Sequence, residues 1–422
     1  MAVLSVVTYA VLFRILKESE MGNWVFYQFA FILLDSCRTG FLQTALIKFY
    51  AGSDDKLKSE VAGSAWYIAL IITGLLAIPN IPALFAGDYI HDQGIWLFIK
   101  WYSINLFLTL PFNFALWILQ AEQRFDQILV LRLITQGSFI ILIFIFYLLN
   151  RIDIEMVIYL SLASALLASV VSIILGWSRI RSLGSRTKAS TSKLYHFGKF
   201  GVGSYLCSTL FKSSDAFFIK FMIGPAALAV YNLPQRLMEI VEIPLRSFMA
   251  TAMPEMSAAF NQGKKAEVMH IMKKYAGVLT LCLIPLIIGM VLFADVFVSI
   301  IGGPKYANSE AANVFRIFMV CSILYPIERF PGITLDIIHK PQLNLLKVIY
   351  SLIVNVVTDI IAIKLFGNIY GVAIASVFTL LFGVAFGFFS LKKFLPFNLS
   401  GILRSGYDEL KILTAGFIKA RL

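Results

Sequence analysis

The chain has 422 residues, of which 59% are hydrophobic and 14% charged, with a mean hydropathy of +0.82. A soluble domain carries about 25% charged residues, so this composition excludes a soluble enzyme or binding module and indicates an integral membrane protein. The formal net charge of +12 does not imply nucleic-acid binding, because most of the cations flank apolar runs and so report topology.

A membrane-crossing helix needs about 20 mostly apolar residues. By that measure the first half contains runs at 2–16, 23–50, 61–85, 94–119, 125–149 and 154–177. A polar connection follows, and then runs at 197–223, 226–258, 275–294, 311–335, 343–366 and 370–391. The expectation is an all-α integral membrane protein of about twelve transmembrane helices. The first run is short, and a missing N-terminal turn or two is expected. It also leads into Arg14 without a small-residue cleavage site, so no cleavable leader is expected.

The loops differ in basic content. One set holds Lys56, Lys58, Arg124, Arg179, Arg181, Arg186, Lys188, Lys193, Lys264, Lys265, Lys273, Lys274 and Lys340, together with Lys392, Lys393, Arg404, Lys411, Lys419 and Arg421 beyond the last run. The alternate loops hold only Lys17, Arg151 and Lys305. By the positive-inside rule both termini face the cytoplasm, and the chain is expected in a bacterial cytoplasmic (inner) membrane. A shift of 207 residues lays Leu16 to Ala51 over Ile223 to Ala258, so that Gly22 meets Ala229, Trp24 meets Tyr231 and Asp35 meets Glu242. Because six runs separate the copies, both enter the membrane in the same direction, as a parallel repeat. The expected organisation is an N-terminal lobe at 1–177, a basic Ser-rich linker at 178–196, a second lobe at 197–391 and a basic amphipathic cytoplasmic tail at 392–422.

Charge inside the apolar runs is the main functional signal. Asp35 and Arg38 lie in the second run, Lys212, Asp215 and Lys220 in the seventh, and Arg236, Glu239, Glu242 and Arg246 in the eighth. The last four recur at spacings of three, three and four, which puts them on one helix face that lipid could not solvate. Pro244 is expected to kink that helix. Individual pairs such as Asp35 with Arg38 are spaced to neutralise each other, but nine such charges together point to a polar, water-filled cavity between the lobes. Arg132, Gln136, Glu328, Arg329, Lys347 and Asp359 are isolated or near run ends, where helix packing is the expected role.

Four strings stand out in order along the chain: Arg14-Ile-Leu-Lys-Glu-Ser-Glu-Met-Gly22, Ile223-Gly224-Pro225 through Tyr231-Asn232, Met253-Pro254-Glu-Met-Ser-Ala-Ala and the turn Ile301-Gly-Gly-Pro-Lys-Tyr306. Together they resemble the polysaccharide exporter branch of the multidrug/oligosaccharidyl-lipid/polysaccharide (MOP) flippase superfamily. The first is similar to that family's Arg-x-Leu-Gly-Pro-Glu-Glu-Tyr-Gly string, with Lys17 in place of the usual Gly. The resemblance implies transport of a lipid-linked oligosaccharide from the inner to the outer leaflet, with helices one, two, seven and eight lining the cavity. It makes Arg14, Arg38, Lys212, Lys220, Arg236 and Arg246 the candidates for the cargo's diphosphate. The acids Asp35, Asp215, Glu239 and Glu242 would balance charge or take up a coupling proton or sodium ion, and Glu242 is assigned coupling because it coincides with Asp35 across the repeat. The implied product is a cell-surface polysaccharide such as the O-antigen of lipopolysaccharide, with a polymerase as a further partner.

The runner-up is a cation-coupled drug or metabolite antiporter of the same superfamily, which calls for an acid-dominated pocket, whereas basic residues slightly outnumber acids here. A membrane glycan polymerase or ligase would need a large outer loop, and the longest here are only 86–93 and 295–310. No enzyme is therefore expected. No metal or cofactor is expected either, since His91, His196, His270 and His339 lack ligand spacing and Cys37, Cys207, Cys282 and Cys321 sit inside apolar runs. Asp54-Asp55 is read as solvated loop.

Overall fold

The computed structural model describes residues 2–85, 87–395 and 400–419, and over them it is helical, with no strand. The helices in chain order are α1 (Ala2–Ile15), α2 (Glu18–Tyr50), α3 (Asp55–Ala77), α4 (Asn80–Phe85), α5 (Gln93–Leu108), α6 (Leu110–Ala121), α7 (Phe125–Leu148), α8 (Ile154–Ile174) and α9 (Lys188–Met222). There follow α10 (Pro225–Leu237), α11 (Glu239–Asn261), α12 (Lys265–Leu292), α13 (Ala294–Gly302), α14 (Pro304–Ala307), α15 (Ala311–Cys321), α16 (Tyr325–Ile337), α17 (Pro341–Phe366), α18 (Ile369–Lys392) and α19 (Ser400–Lys419). Among the described residues, eight helices are long and apolar enough to cross a membrane, or nine when α5 and α6, bent by 45°, count as one span. The chain is a multi-pass membrane protein. The remaining runs of the expected twelve are α1, of 14 residues, α9, and the α10–α11 pair. α9 and α11 are long enough but carry the interior charges, so it is hydropathy rather than length that sets them apart.

The chain divides into two compact units, residues 1–220 and 221–422, so most of α9 groups with the first. The core of the first unit gathers Leu42, Leu46, Tyr50, Trp66, Phe114, Trp117 and Leu194, with Trp66 stacked on Phe114 at 4.2 Å. The connection expected as a linker is pinned to this core. Trp66 Nε1 donates to the Ser178 carbonyl at 2.8 Å, Thr187 N donates to Ser64 Oγ at 3.2 Å, and the Arg186 guanidinium lies 4.1 Å from the Tyr67 ring centroid. Gly63 allows the approach, since a Cβ there would overlap the Ser182 carbonyl oxygen. Residues 188–196, expected in the linker, are the first turns of α9.

In the second unit α17 is turned inside out relative to a soluble helix. Lys347, Ser351, Asn355 and Asp359 recur every four residues and are buried, while Tyr350, Ile353, Val357 and Ile361 are exposed. Such a helix presents methyl groups to lipid and keeps its polar atoms for neighbouring helices. The copy of α2 in this unit is broken: α10 and α11 meet at Met238. Pro234 and Pro244 bracket the break, each removing an N–H and crowding the carbonyl one turn upstream. The interruption lies six residues before Pro244, the expected kink site. The tail helix α19 lies against α12, where Gly406 meets Gly277 and Lys274 pairs with Glu409 at 3.0 Å.

Candidate functional site

Arg38 is fully buried within the first unit. Its Nη1 donates to the Leu106 carbonyl at 2.7 Å and to Thr73 Oγ1 at 3.4 Å, and its Nη2 donates to Asp35 Oδ1 and, at 3.3 Å, to Thr109 Oγ1. Leu106 lies three residues before the bend at Thr109, where the last carbonyls of α5 lose their intrahelical donors. Arg38 supplies one of those donors from α2. The other oxygen of Asp35 accepts from Thr39 Oγ1 at 3.1 Å and from Asn113 Nδ2 at 3.4 Å. These contacts use the Nη donors that a diphosphate would need, so they give Arg38 and Asp35 a structural part in joining α2, α3, α5 and α6.

Lys220 is also engaged. Its ammonium, 4% exposed as a residue, donates to Asn23 Oδ1 at 2.7 Å and Asp92 Oδ2 at 2.8 Å, and sits 5.7 Å from the Phe26 ring centroid. Asp92 caps α5 by accepting from the Ile95 N–H at 2.9 Å. Partial burial pushes the Asp92 carboxyl up, but Lys220 and the Ile95 and Gly94 amides outweigh it and hold the group below its ordinary 3.8. The result is a clasp between α9, α2 and the start of α5. Neither Asp92 nor Asn23 stands out in the sequence, because an Asp at a helix start is accounted for by capping alone. Nearer the other end of α9, Gly198 and Gly201 lie against the backbone of Phe41 and Gly40, and a cavity of about 270 Å³ opens beside them. Of the other predicted residues in this unit, Arg14 and Lys212 are exposed on α1 and α9, and Asp215 is half-buried on α9.

The second unit holds a more open arrangement. Arg236 pairs with Glu239 at 3.7 Å across the α10–α11 break and contacts Asn232 at 3.5 Å. Beyond it runs an alternating chain of charges. Arg246 Nε lies 3.8 Å from Glu242 Oε2, and Arg329 Nη2 lies 3.8 Å from Glu242 Oε1. Arg329 Nε then pairs with Glu328 at 3.3 Å, and Lys347 closes the chain on Glu328 at 2.6 Å. The Lys347 end is buried, whereas the Arg246 side chain is 65% exposed and that of Arg329 43%. Sequence reasoning found Glu242 and Arg246 by helical spacing. It assigned Glu328, Arg329 and Lys347 to packing, since their partners lie on other helices. Among the described residues no group of three or more His, Cys, Asp or Glu side chains could hold a metal ion.

The family model described as "Polysaccharide biosynthesis protein" matches residues 1–260, and one described as MatE matches residues 202–361. A curated relative, "Probable low-salt glycan biosynthesis flippase Agl15" of Haloferax volcanii, is 22% identical over 316 residues. The match takes in 73% of this chain and 62% of the relative, so the chain spans about three fifths of that protein's length. Among solved structures, an inward-facing multidrug resistance MATE family transporter of the MOP superfamily superposes with a TM-score of 0.75 at 15% identity, over 93% of this chain and 96% of that one. Lipid II flippase MurJ in an inward closed conformation gives 0.74 at 14% identity, over 99% and 90%. At these identities the likeness shows a shared fold. Matched over more than half of its length by the first family model, the chain belongs to the polysaccharide biosynthesis protein family.

Proposed function

We propose that the chain is a flippase that carries a polyprenyl-diphosphate-linked oligosaccharide from the inner to the outer leaflet by alternating access, for assembly of a cell-surface polysaccharide. The supporting observation is the open, cation-rich run Arg246–Glu242–Arg329 on helices α11 and α16, with the Arg236–Glu239 pair at the start of α11. Guanidinium groups in such a setting suit phosphate oxygens, which they bind with paired, charge-assisted hydrogen bonds. The family match and the relative described as a glycan flippase point the same way. Arg14, Lys212, Arg236 and Arg246 are the proposed cargo contacts, and Asp215 and Glu239 balance charge. A proton or sodium gradient drives the cycle, a polymerase uses the product, and the chain sits in a bacterial cytoplasmic membrane with both termini inside.

The test is complementation. In a host lacking its polysaccharide flippase, wild type restores surface glycan, while Arg236→Ala and Arg246→Ala reach the membrane at normal levels and fail. The match to the MatE model and the multidrug transporter structure favour a second reading, a cation-coupled antiporter. If wild type restores no surface glycan but lowers accumulation of a cationic dye, the antiporter reading replaces the first.

A further inference from the structure

We infer that Arg246 and Arg329 form a two-arginine clamp for the cargo's diphosphate, and that Glu242 occupies the clamp as an internal stand-in for that anion. This rests on the flippase reading above. The two arginines approach opposite oxygens of one carboxylate, each at 3.8 Å. A settled charge-assisted hydrogen bond runs to about 2.7–2.9 Å, so neither arginine is hydrogen-bonded to that carboxylate. Arg246 Nε donates instead to the Glu242 backbone carbonyl at 3.3 Å, which leaves its Nη groups turned away from Glu242 for a ligand. The other end of the network is closed: Lys347 meets Glu328 at 2.6 Å and also donates to the Glu328 carbonyl at 3.0 Å. Glu328 in turn takes the Nε edge of Arg329 at 3.3 Å. Arg329 is thereby fixed along one edge by a buried pair, and its Nη2 is presented to Glu242.

Arg246, Arg329 and Lys347 face Glu242 and Glu328, and Asp336 adds a third acid at the Lys347 end. The unevenness of charge is therefore local: at the open end two guanidinium groups share the single carboxylate of Glu242. Without Glu242 the two guanidinium groups would repel each other across the space it fills. A carboxylate is a small anion for two guanidiniums and bridges them only loosely. The two phosphoryl groups of a diphosphate can give each guanidinium its own oxygens, so the cargo displaces Glu242 and a monophosphate does so less well. Glu328 and Lys347 are positioning residues acting through Arg329.

The opposite signs of two substitutions make the test. The purified full chain in nanodiscs is titrated with farnesyl diphosphate, with farnesyl phosphate and inorganic diphosphate as comparators, and thermal unfolding is followed in parallel. Wild type binds the prenyl diphosphate more tightly than the monophosphate. Glu242→Gln removes the competing anion and binds it roughly fivefold tighter or more, a gain that misfolding cannot imitate. Arg329→Gln binds at least about tenfold more weakly, with Arg329→Lys intermediate because it keeps the charge and loses the fork. The clamp is overturned if Glu242→Gln binds no better than wild type, or if Arg329→Gln binds as well. It is also overturned, with the flippase reading standing, if wild type restores surface glycan yet binds no prenyl diphosphate. If wild type does neither, both fall.

Discussion

The Lys220 clasp gives a prediction in which two halves of one ion pair behave differently. Asp92→Asn keeps the shape but leaves a buried ammonium facing two neutral amides. Breaking a buried pair in this way costs about 3–5 kcal/mol, and the 38% exposure of the Asp92 side chain favours the low end, about 3 kcal/mol. Lys220→Met removes the buried charge itself. Asp92 then keeps its Ile95 amide and water, so the loss is about 1–2 kcal/mol. At roughly 2–4 °C per kcal/mol for a unit of this size, Asp92→Asn lowers Tm by about 6–12 °C and Lys220→Met by about 2–8 °C. The double variant strands no charge and melts above Asp92→Asn alone. Thermal unfolding of the four proteins in one detergent measures all of this. An additive double variant, or an Asp92→Asn no worse than Lys220→Met, would refute the clasp. The pH dependence has a fixed sign. The folded carboxyl lies below its ordinary 3.8, so its contribution is complete above that value and is lost as pH falls through the lower, folded one. The clasp is therefore indifferent to pH between 5 and 8, and Asp92→Asn should flatten the acid limb below pH 4.

Other substitutions test neighbouring parts of the fold. Trp66→Ala removes the ring stacked on Phe114 together with the donor to Ser178, and should cost about 3–5 kcal/mol of thermal stability while exposing the 178–187 connection to protease. Gly198→Ala would put a Cβ 2.5 Å from the Phe41 carbonyl oxygen, an overpacking worth about 1–3 kcal/mol, whereas the Cβ of Gly203→Ala meets nothing within 4 Å and the variant should melt at or slightly above wild type. At the C-terminal end of α6, Glu122 accepts from Tyr50 at 2.8 Å and pairs with Arg124 and Arg179. Burial raises its carboxyl, but Tyr50 and the two arginines hold it below the usual 4.5, so Glu122→Gln should lower Tm at neutral pH and lose its penalty as pH falls below about 4.

The helices were legible because length and hydropathy decide membrane crossing, and the interior charges of α2, α9 and α11 were legible because lipid makes them costly. Their partners were not. An arginine at mid-membrane looks the same in sequence whether it meets a phosphate or, as Arg38 does, the carbonyl of a bent helix 68 residues on. Lys220 reads as a cavity cation until α9 is laid beside the capping Asp92, 128 residues away in sequence. Glu328 and Lys347 are 19 residues apart on different helices, so no spacing rule connects them. The break at Met238 lies four residues after Pro234 and six before Pro244, so the prolines mark its neighbourhood in the sequence and not its position.

The repeat explains why one copy is sealed and the other open. A shift of 207 residues puts Asp35 on Glu242, but it puts Arg38 on Leu245 and Thr39 on Arg246. Both members of the first pair are buried inside their unit, Arg38 at 0% and Leu245 at 1%. In the first copy the cation is three residues after the acid, on the buried line of the helix, where it caps a carbonyl of α5. In the second, leucine holds that buried line and the cation moves one residue on, a turn of about 100° that brings it to the exposed side. The acid then has a loosely held arginine instead of a fixed one, and it reaches across to Arg329 on α16. One residue of register therefore separates an ion pair that joins helices from one that a ligand can displace. Moving the cation of the second copy back, as Leu245→Arg with Arg246→Thr, would recreate the sealed arrangement only if α15 or α16 offered a free carbonyl at that depth. The unbroken α2 gets its carbonyl from the bend between α5 and α6, so the two halves of the repeat diverge in what their neighbours leave unsatisfied as much as in their own residues.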